Sequence, residues 1–138
     1  MKPDADAILR SLEIVAERCE DLVPPVYGRF YARFPEARKM FGRDENNFHQ
    51  GQMFNGMLLA IIEHAEGRCP MGSIRAWVAD HNALGVGREM FPVMFSALFD
   101  AIKAAMGDAW NDEFEGAWHR QIGGLAAQFE TVFDGGGR

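Results

Sequence analysis

Apolar side chains recur at every third or fourth position along almost the whole chain. No useful run alternates with period two, so the pattern predicts helices and no sheet. Ile8, Leu12, Val15 and Cys19 mark the inward face of a first helix, from about Asp4 to Glu20. A second begins near Pro24-Pro25, where proline is tolerated in a first turn, and carries Val26, Tyr27, Phe30 and Phe34 inward until Pro35 breaks it. A short helix, Glu36 to Phe41, stops at Gly42, and the polar run Arg43-Asp44-Glu45-Asn46 leads into a long helix reaching about Glu66. The inward face of that helix bears His49, Met53, Phe54, Met57 and Ile61. After a loop from Gly67 to Gly72, Ser73 is expected to cap a short helix that Gly85 ends. Two long helices complete the chain. One runs from about Arg88 to Met106, with Phe91, Met94, Phe95, Leu98 and Ile102 inward. The other runs from about Asn111 to Phe133, with Phe114, Trp118, Ile122, Leu125 and Phe129 inward. A frayed tail is expected from about 134 to 138.

A chain of 138 residues suits one domain, expected to span 1–138, and an apolar share of 48% is enough to bury a core. The longest apolar run, Met57 to Ile62, falls short of a membrane span, so no membrane partner is expected. The N-terminus lacks the basic-then-apolar form of a signal peptide, which points to the cytoplasm. A net charge of −6 without a basic stripe excludes nucleic acid as the expected partner. Cys19 and Cys69 form neither a zinc spacing nor a disulfide framework. Eleven Phe and eight Met suit either an adaptable core or a pocket for a flat apolar ligand.

One residue stands out chemically. Ile74, Trp77, Val78, His81 and Leu84 fall on one helical face, so the His81 imidazole points inward near the end of a short helix. There it can hold a metal at the edge of a pocket, and a neutral imidazole is a good iron ligand. Taken alone, a histidine on an apolar face is more often a buried side chain bonded to a backbone carbonyl.

The surrounding motifs raise the first reading. Tyr27-Gly28-Arg29-Phe30-Tyr31-Ala32-Arg33-Phe34-Pro35-Glu36 through Phe41, then Phe54-Asn55, then His81-Asn82-Ala83-Leu84-Gly85-Val86, then Ala117-Trp118, stand in an order that resembles the globin family. The likeness is to bacterial single-domain globins and the globin half of flavohaemoglobins, and covers roughly residues 8 to 133. It implies an all-α globin fold of six to eight helices packed around a haem pocket, with haem b (iron protoporphyrin IX) as cofactor. By the same resemblance His81 is the proximal iron ligand, Phe41 stacks on the haem, and Val86 touches a haem edge. Trp77, on the His81 face, joins the cofactor-binding set, and Phe91 and Phe95 line the pocket. Tyr27 falls at a distal position. The 32-residue spacing from His49 to His81 matches the family and puts His49 over the iron, with Met53 one turn later; a slip of one residue would put Gln50 there instead.

The resemblance therefore implies reversible binding of oxygen or another diatomic gas (O2, NO or CO), in storage, sensing or NO detoxification. Tyr27 and His49 would donate hydrogen bonds to the gas. Phe91 stands where flavohaemoglobin-type globins carry a tyrosine in a network with the proximal histidine, and Ile122 where another tyrosine is common. Phenylalanine cannot make such a bond, so weaker electron donation to iron is implied, which argues against fast NO-dioxygenase chemistry. The 138 residues hold no Gly-rich nucleotide motif, and any redox cycle is expected to need an external reductase. The alternative is a haem-free globin-fold sensor or interaction module. A bilin carrier is a weaker variant, since Cys69 is expected in a loop.

Overall fold

The computed structural model describes residues 2–41 and 48–135. Among the described residues there are six α-helices, two short 3-10 segments and no strand. They are α1 (Pro3–Arg18), α2 (Val23–Arg33), α3 (Phe48–Ala65), α4 (Met71–Ala83), α5 (Met90–Met106) and α6 (Asp112–Phe133). The 3-10 segments are Pro35–Phe41, where a short helix was expected, and Gly107–Ala109. Gly42, the polar run Arg43 to Asn46 and Gly136-Gly137 lie outside the described residues.

Local chemistry accounts for the helix ends. Pro3 opens α1, with Asp4 and Asp6 in its first turn and Arg18 in its last, each sign suited to the helix dipole. Asn111 caps α6 by accepting from the Phe114 amide at 2.9 Å. Ser73 does not cap α4. The helix begins two residues earlier behind Pro70, whose extended ψ sets the entry, and Ser73 instead donates its own amide to the Pro70 carbonyl. Gly85, at φ +84°, closes α4: its amide bonds the Asn82 carbonyl and the Val86 amide bonds the His81 carbonyl. This paired closure needs a left-handed residue, which glycine supplies without a Cβ clash. It also fixes Val86 beside the last turn that carries His81.

The core is one cluster. α2 packs on α5, α1 on α5 and α6, and α4 on α6. Trp118, fully buried on α6, donates through Nε1 to Ser11 Oγ at 2.9 Å, and Ser11 passes its own proton to the Ile8 carbonyl at 2.7 Å. Every polar atom of that buried chain thus has a partner. Arg18 reaches from α1 to donate to the Met106 carbonyl at the end of α5 and to Asp108.

Two expectations change. The stretch Met90–Ala109 is long and apolar enough to cross a membrane by length and composition, although no single uninterrupted apolar run is. Its inward face, including Met94, Phe95, Leu98, Ile102 and Met106, is buried against the other helices, as in a core helix. Leu84, expected inward, is 69% exposed, because the chain leaves the helix at that residue. Among the described residues α3 makes no extensive contact with α4 or α5. The space between them is a cavity.

Candidate functional site

The cavity, about 590 Å3, is bounded by α3 on one side and by α4 and α5 on the other, with Phe41 and Met40 at one end. Its size falls within the range of sites for drug-sized ligands and cofactors. Among the described residues its polar lining comes chiefly from His49, Gln52 and His81, with the Trp77 indole; the remainder is almost wholly aromatic, aliphatic or thioether. Water gains little in such a space and a flat apolar ligand gains much.

On the α4 side, His81 is half-buried and its Nδ1 lies 2.7 Å from the Trp77 carbonyl oxygen. A carbonyl oxygen only accepts, so the proton sits on Nδ1 and the lone pair on Nε2. The bond spans one helical turn and holds the ring's orientation against rotation. Phe91 meets the imidazole edge-on with centroids 5.5 Å apart, and Phe129 packs against both Phe91 and Trp77. Arg88 braces this wall from outside, paired with Glu130 and Asp134 and lying over the Phe133 ring. The result is an imidazole with a fixed tautomer in an apolar wall, able to coordinate a metal through Nε2.

Across the cavity α3 presents His49, Gln52, Met53, Gly56 and Met57, the i, i+3, i+4, i+7, i+8 row of one helical face. His49 lines the cavity but is exposed overall, rather than buried as an inward position implies. Gln50 does not line the cavity. It is 9% exposed, and its Oε1 accepts from the Tyr31 hydroxyl at 2.8 Å. The Tyr27 hydroxyl donates to the Gln50 carbonyl at 3.2 Å, in the wall behind Phe41, whose ring it meets edge-on.

Of the residues singled out by sequence, Phe41, His49, Met53, Trp77, His81, Val86, Phe91 and Phe95 thus line one cavity. Tyr27 stands one layer behind it. Sequence reasoning passed over Gln52, which helical spacing from His49 would have found, and Met40 and Met90, which carried no distinguishing signal. Neither cysteine lines the cavity, and burial, then the nearby Glu63 charge, push the Cys69 thiol up, away from nucleophilic use. Among the described residues no group of three or more His, Cys, Asp or Glu side chains could hold a metal. A metal here would depend on His81 and on whatever else it brings.

Comparison with known proteins points the same way as the geometry. The Globin family profile matches residues 25–129, well over half of the chain. A flavohemoprotein of Rhizobium meliloti (strain 1021) is 28% identical over 127 residues, covering 88% of this chain and 30% of that protein. A flavohemoprotein of Candida norvegensis is 25% identical over 137 residues, covering 97% of this chain and 34% of that protein. The chain therefore spans about a third of the length of these flavohemoproteins. The rice (Oryza sativa subsp. japonica) protein named anaerobic nitrite reductase NSHB5 is 24% identical over 127 residues, 88% of each chain. With the family match running from α2 into α6 and an all-helical fold built around an apolar cavity that His49 and His81 line from opposite walls, this chain belongs to the globin family.

Proposed function

We propose that this chain binds haem b in the cavity between α3 and α4–α5 and reversibly holds a diatomic gas there. The observation that carries the reading is His81. Its Nδ1 proton is committed to the Trp77 carbonyl, and its Nε2 lone pair belongs to a ring that lines an apolar cavity of about 590 Å3. That donor set fits haem, whose iron accepts one imidazole nitrogen and whose ring is flat and largely apolar. The iron would supply the position at which O2, NO or CO binds. Phe41, Val86, Phe91 and Phe95 would hold the ring and exclude water. His49, which lines the facing wall, would donate a hydrogen bond to the gas.

The proximal acceptor is a neutral carbonyl, and Phe91 adds no hydrogen bond. A neutral acceptor leaves the imidazole less anionic than a carboxylate would, so donation to iron is modest. That favours gas holding over redox turnover. The flavohemoprotein relatives are about three times longer than this chain, and electrons for any NO-consuming cycle would come from a reductase outside these 138 residues.

Haem titration followed by visible absorption tests the reading. Wild-type protein should take up one haem per chain and show a ligated Soret band. His81→Ala should lose retention, or keep weakly held haem that passes readily to a stronger acceptor protein. Equal retention in both proteins, with the same spectrum, would refute it.

A further inference from the structure

Five of the chain's eight methionines, Met40, Met53, Met57, Met90 and Met94, line the cavity. Met90 and Met94 belong to α5, the helix that carries Phe91 against His81, and Met40 lies at the end near Phe41. Met53 and Met57 are the two on α3, the wall that faces His81. Met57 is one turn farther along α3, toward Ala60 and Ile61, which are almost fully buried. Met53 thus sits on the α3 wall between the exposed His49 and the buried turn at Ala60 and Ile61. It is half-buried, with Gly56 three residues on. A Cβ at Gly56 would meet nothing within 4 Å, so there is open space beside that glycine, and a methionine side chain has three rotatable bonds with which to adapt.

Three side chains on this wall carry a lone pair suited to iron, the His49 imidazole and the Met53 and Met57 thioethers, of which Met57 lies toward the buried Ala60 and Ile61. His49 is exposed, and its ring packs edge-on against Phe48, with centroids 5.5 Å apart, at the outer end of α3. Holding a metal inside the cavity would draw it away from that contact. Met53 needs no such displacement. Its sulfur is soft and uncharged and belongs to a side chain that lines the apolar cavity, so ligation brings no ionised group out of water. A histidine–methionine pair is an established way of holding haem iron.

We infer that Met53 is an internal ligand: with no gas bound, its thioether would donate a lone pair to the iron from the α3 side of the cavity, and an incoming gas would displace it. Nothing is oxidised or reduced in the exchange; one coordinate bond breaks and another forms. The inference rests on the haem reading above. Its consequence is regulatory. A protein whose binding-competent state is only a fraction of the total binds its ligand more weakly by that fraction. If the thioether occupies about nine-tenths of the ferrous molecules, its removal raises gas affinity about tenfold. Thioether ligation also favours ferrous iron and so raises the reduction potential.

The test uses the haem-loaded protein, with Met53→Leu, Met57→Leu and His49→Leu beside it. Leucine nearly conserves volume at each methionine, so the pocket stays filled. The ferric wild type should be low-spin and six-coordinate with a sulfur-to-iron charge-transfer band in the near-infrared. That band should vanish in Met53→Leu and survive in the other two. Carbon monoxide affinity of the ferrous protein should rise about tenfold in Met53→Leu alone, and its reduction potential should fall. A wild type lacking the band overturns the inference, as does loss of the low-spin state in His49→Leu or Met57→Leu instead. Wild-type protein that takes up no haem overturns the haem reading first and this inference with it, a result separate from haem uptake without the sulfur band.

Discussion

At the scale of single residues, the direction of a hydroxyl or an imidazole decides its role. Spacing placed His81, His49 and Tyr27 toward the same pocket, and two of the three line it. Tyr27 does not, because a buried helix carbonyl at Gln50 lies within reach of its hydroxyl. Residue spacing on α2 carries no information about where α3 crosses it, so that partner was not legible. The difference separates two substitutions. His49→Leu removes a donor from the cavity wall, and oxygen should leave the haem-loaded protein faster by about 2- to 13-fold, the equivalent of roughly 0.5–1.5 kcal/mol. Tyr27→Phe removes a buried bond between α2 and α3 and should lower folding stability by about 0.5–1.5 kcal/mol, with a smaller change in gas release. Stopped-flow oxygen dissociation and denaturant melts on both variants check this pair. A larger kinetic effect from Tyr27→Phe would mean that its hydroxyl turns into the cavity once haem is bound.

At the scale of elements, the helices were legible because apolar spacing is a local property of each. All six α-helices and the Pro35 break follow from it, with ends displaced by only a few residues. What periodicity cannot show is how closely two helices approach. Gly123 and Gly124 are adjacent within α6, and each costs the helix backbone entropy relative to alanine. Gly123 is exposed, and a Cβ there would meet nothing within 4 Å. At Gly124 a Cβ would fall 2.6 Å from Cε1 and 3.1 Å from Nε2 of His64 on α3. That ring cannot swing aside freely, since His64 Nδ1 is held by Gln121 Oε1 at 2.7 Å. Opposite outcomes are therefore expected from the same change one residue apart. Gly123→Ala should stabilise by about 0.5–1 kcal/mol through helix propensity. Gly124→Ala should destabilise by about 1–3 kcal/mol through overpacking. Urea midpoints at unchanged m-value measure both. A stabilising Gly124→Ala would show that α3 and α6 separate without penalty, and α3's position as the cavity wall would then rest on other contacts.

At the scale of the whole molecule, long-range ion pairs join elements that sequence patterning treats as independent, and they set how the fold responds to acid. Arg120 on α6 clasps Asp4 at the start of α1 through two hydrogen bonds, 2.7 and 3.0 Å long, and Gln121 adds a third at 2.8 Å. Since the Asp4 carboxylate only accepts, Gln121 donates to it through Nε2, and its Oε1 is left to accept from His64 Nδ1. One connected chain thus links α1, α6 and α3. The Arg120 bond is the main reason the Asp4 carboxyl lies below its usual range, against an opposing effect of burial. Arg18 does the same for Asp108, and Trp110 followed by Lys103 for Glu115. In the unfolded chain all three return to the usual carboxylate range, so between the folded and unfolded values the unfolded state binds more protons. Their contribution is complete above that range and is lost as pH falls through the folded values, so stability should decline below about pH 5. The three are not equal. Asp108 is 90% exposed and solvent screens its pair, whereas the Asp4 side chain is only 18% exposed and takes three donors. Asp4→Asn should therefore flatten the acid limb of a plot of melting temperature against pH, and Asp108→Asn should leave it nearly unchanged. If both variants kept the wild-type slope, the clasp between α1 and α6 would not govern acid unfolding, and the remaining carboxylates would have to account for it.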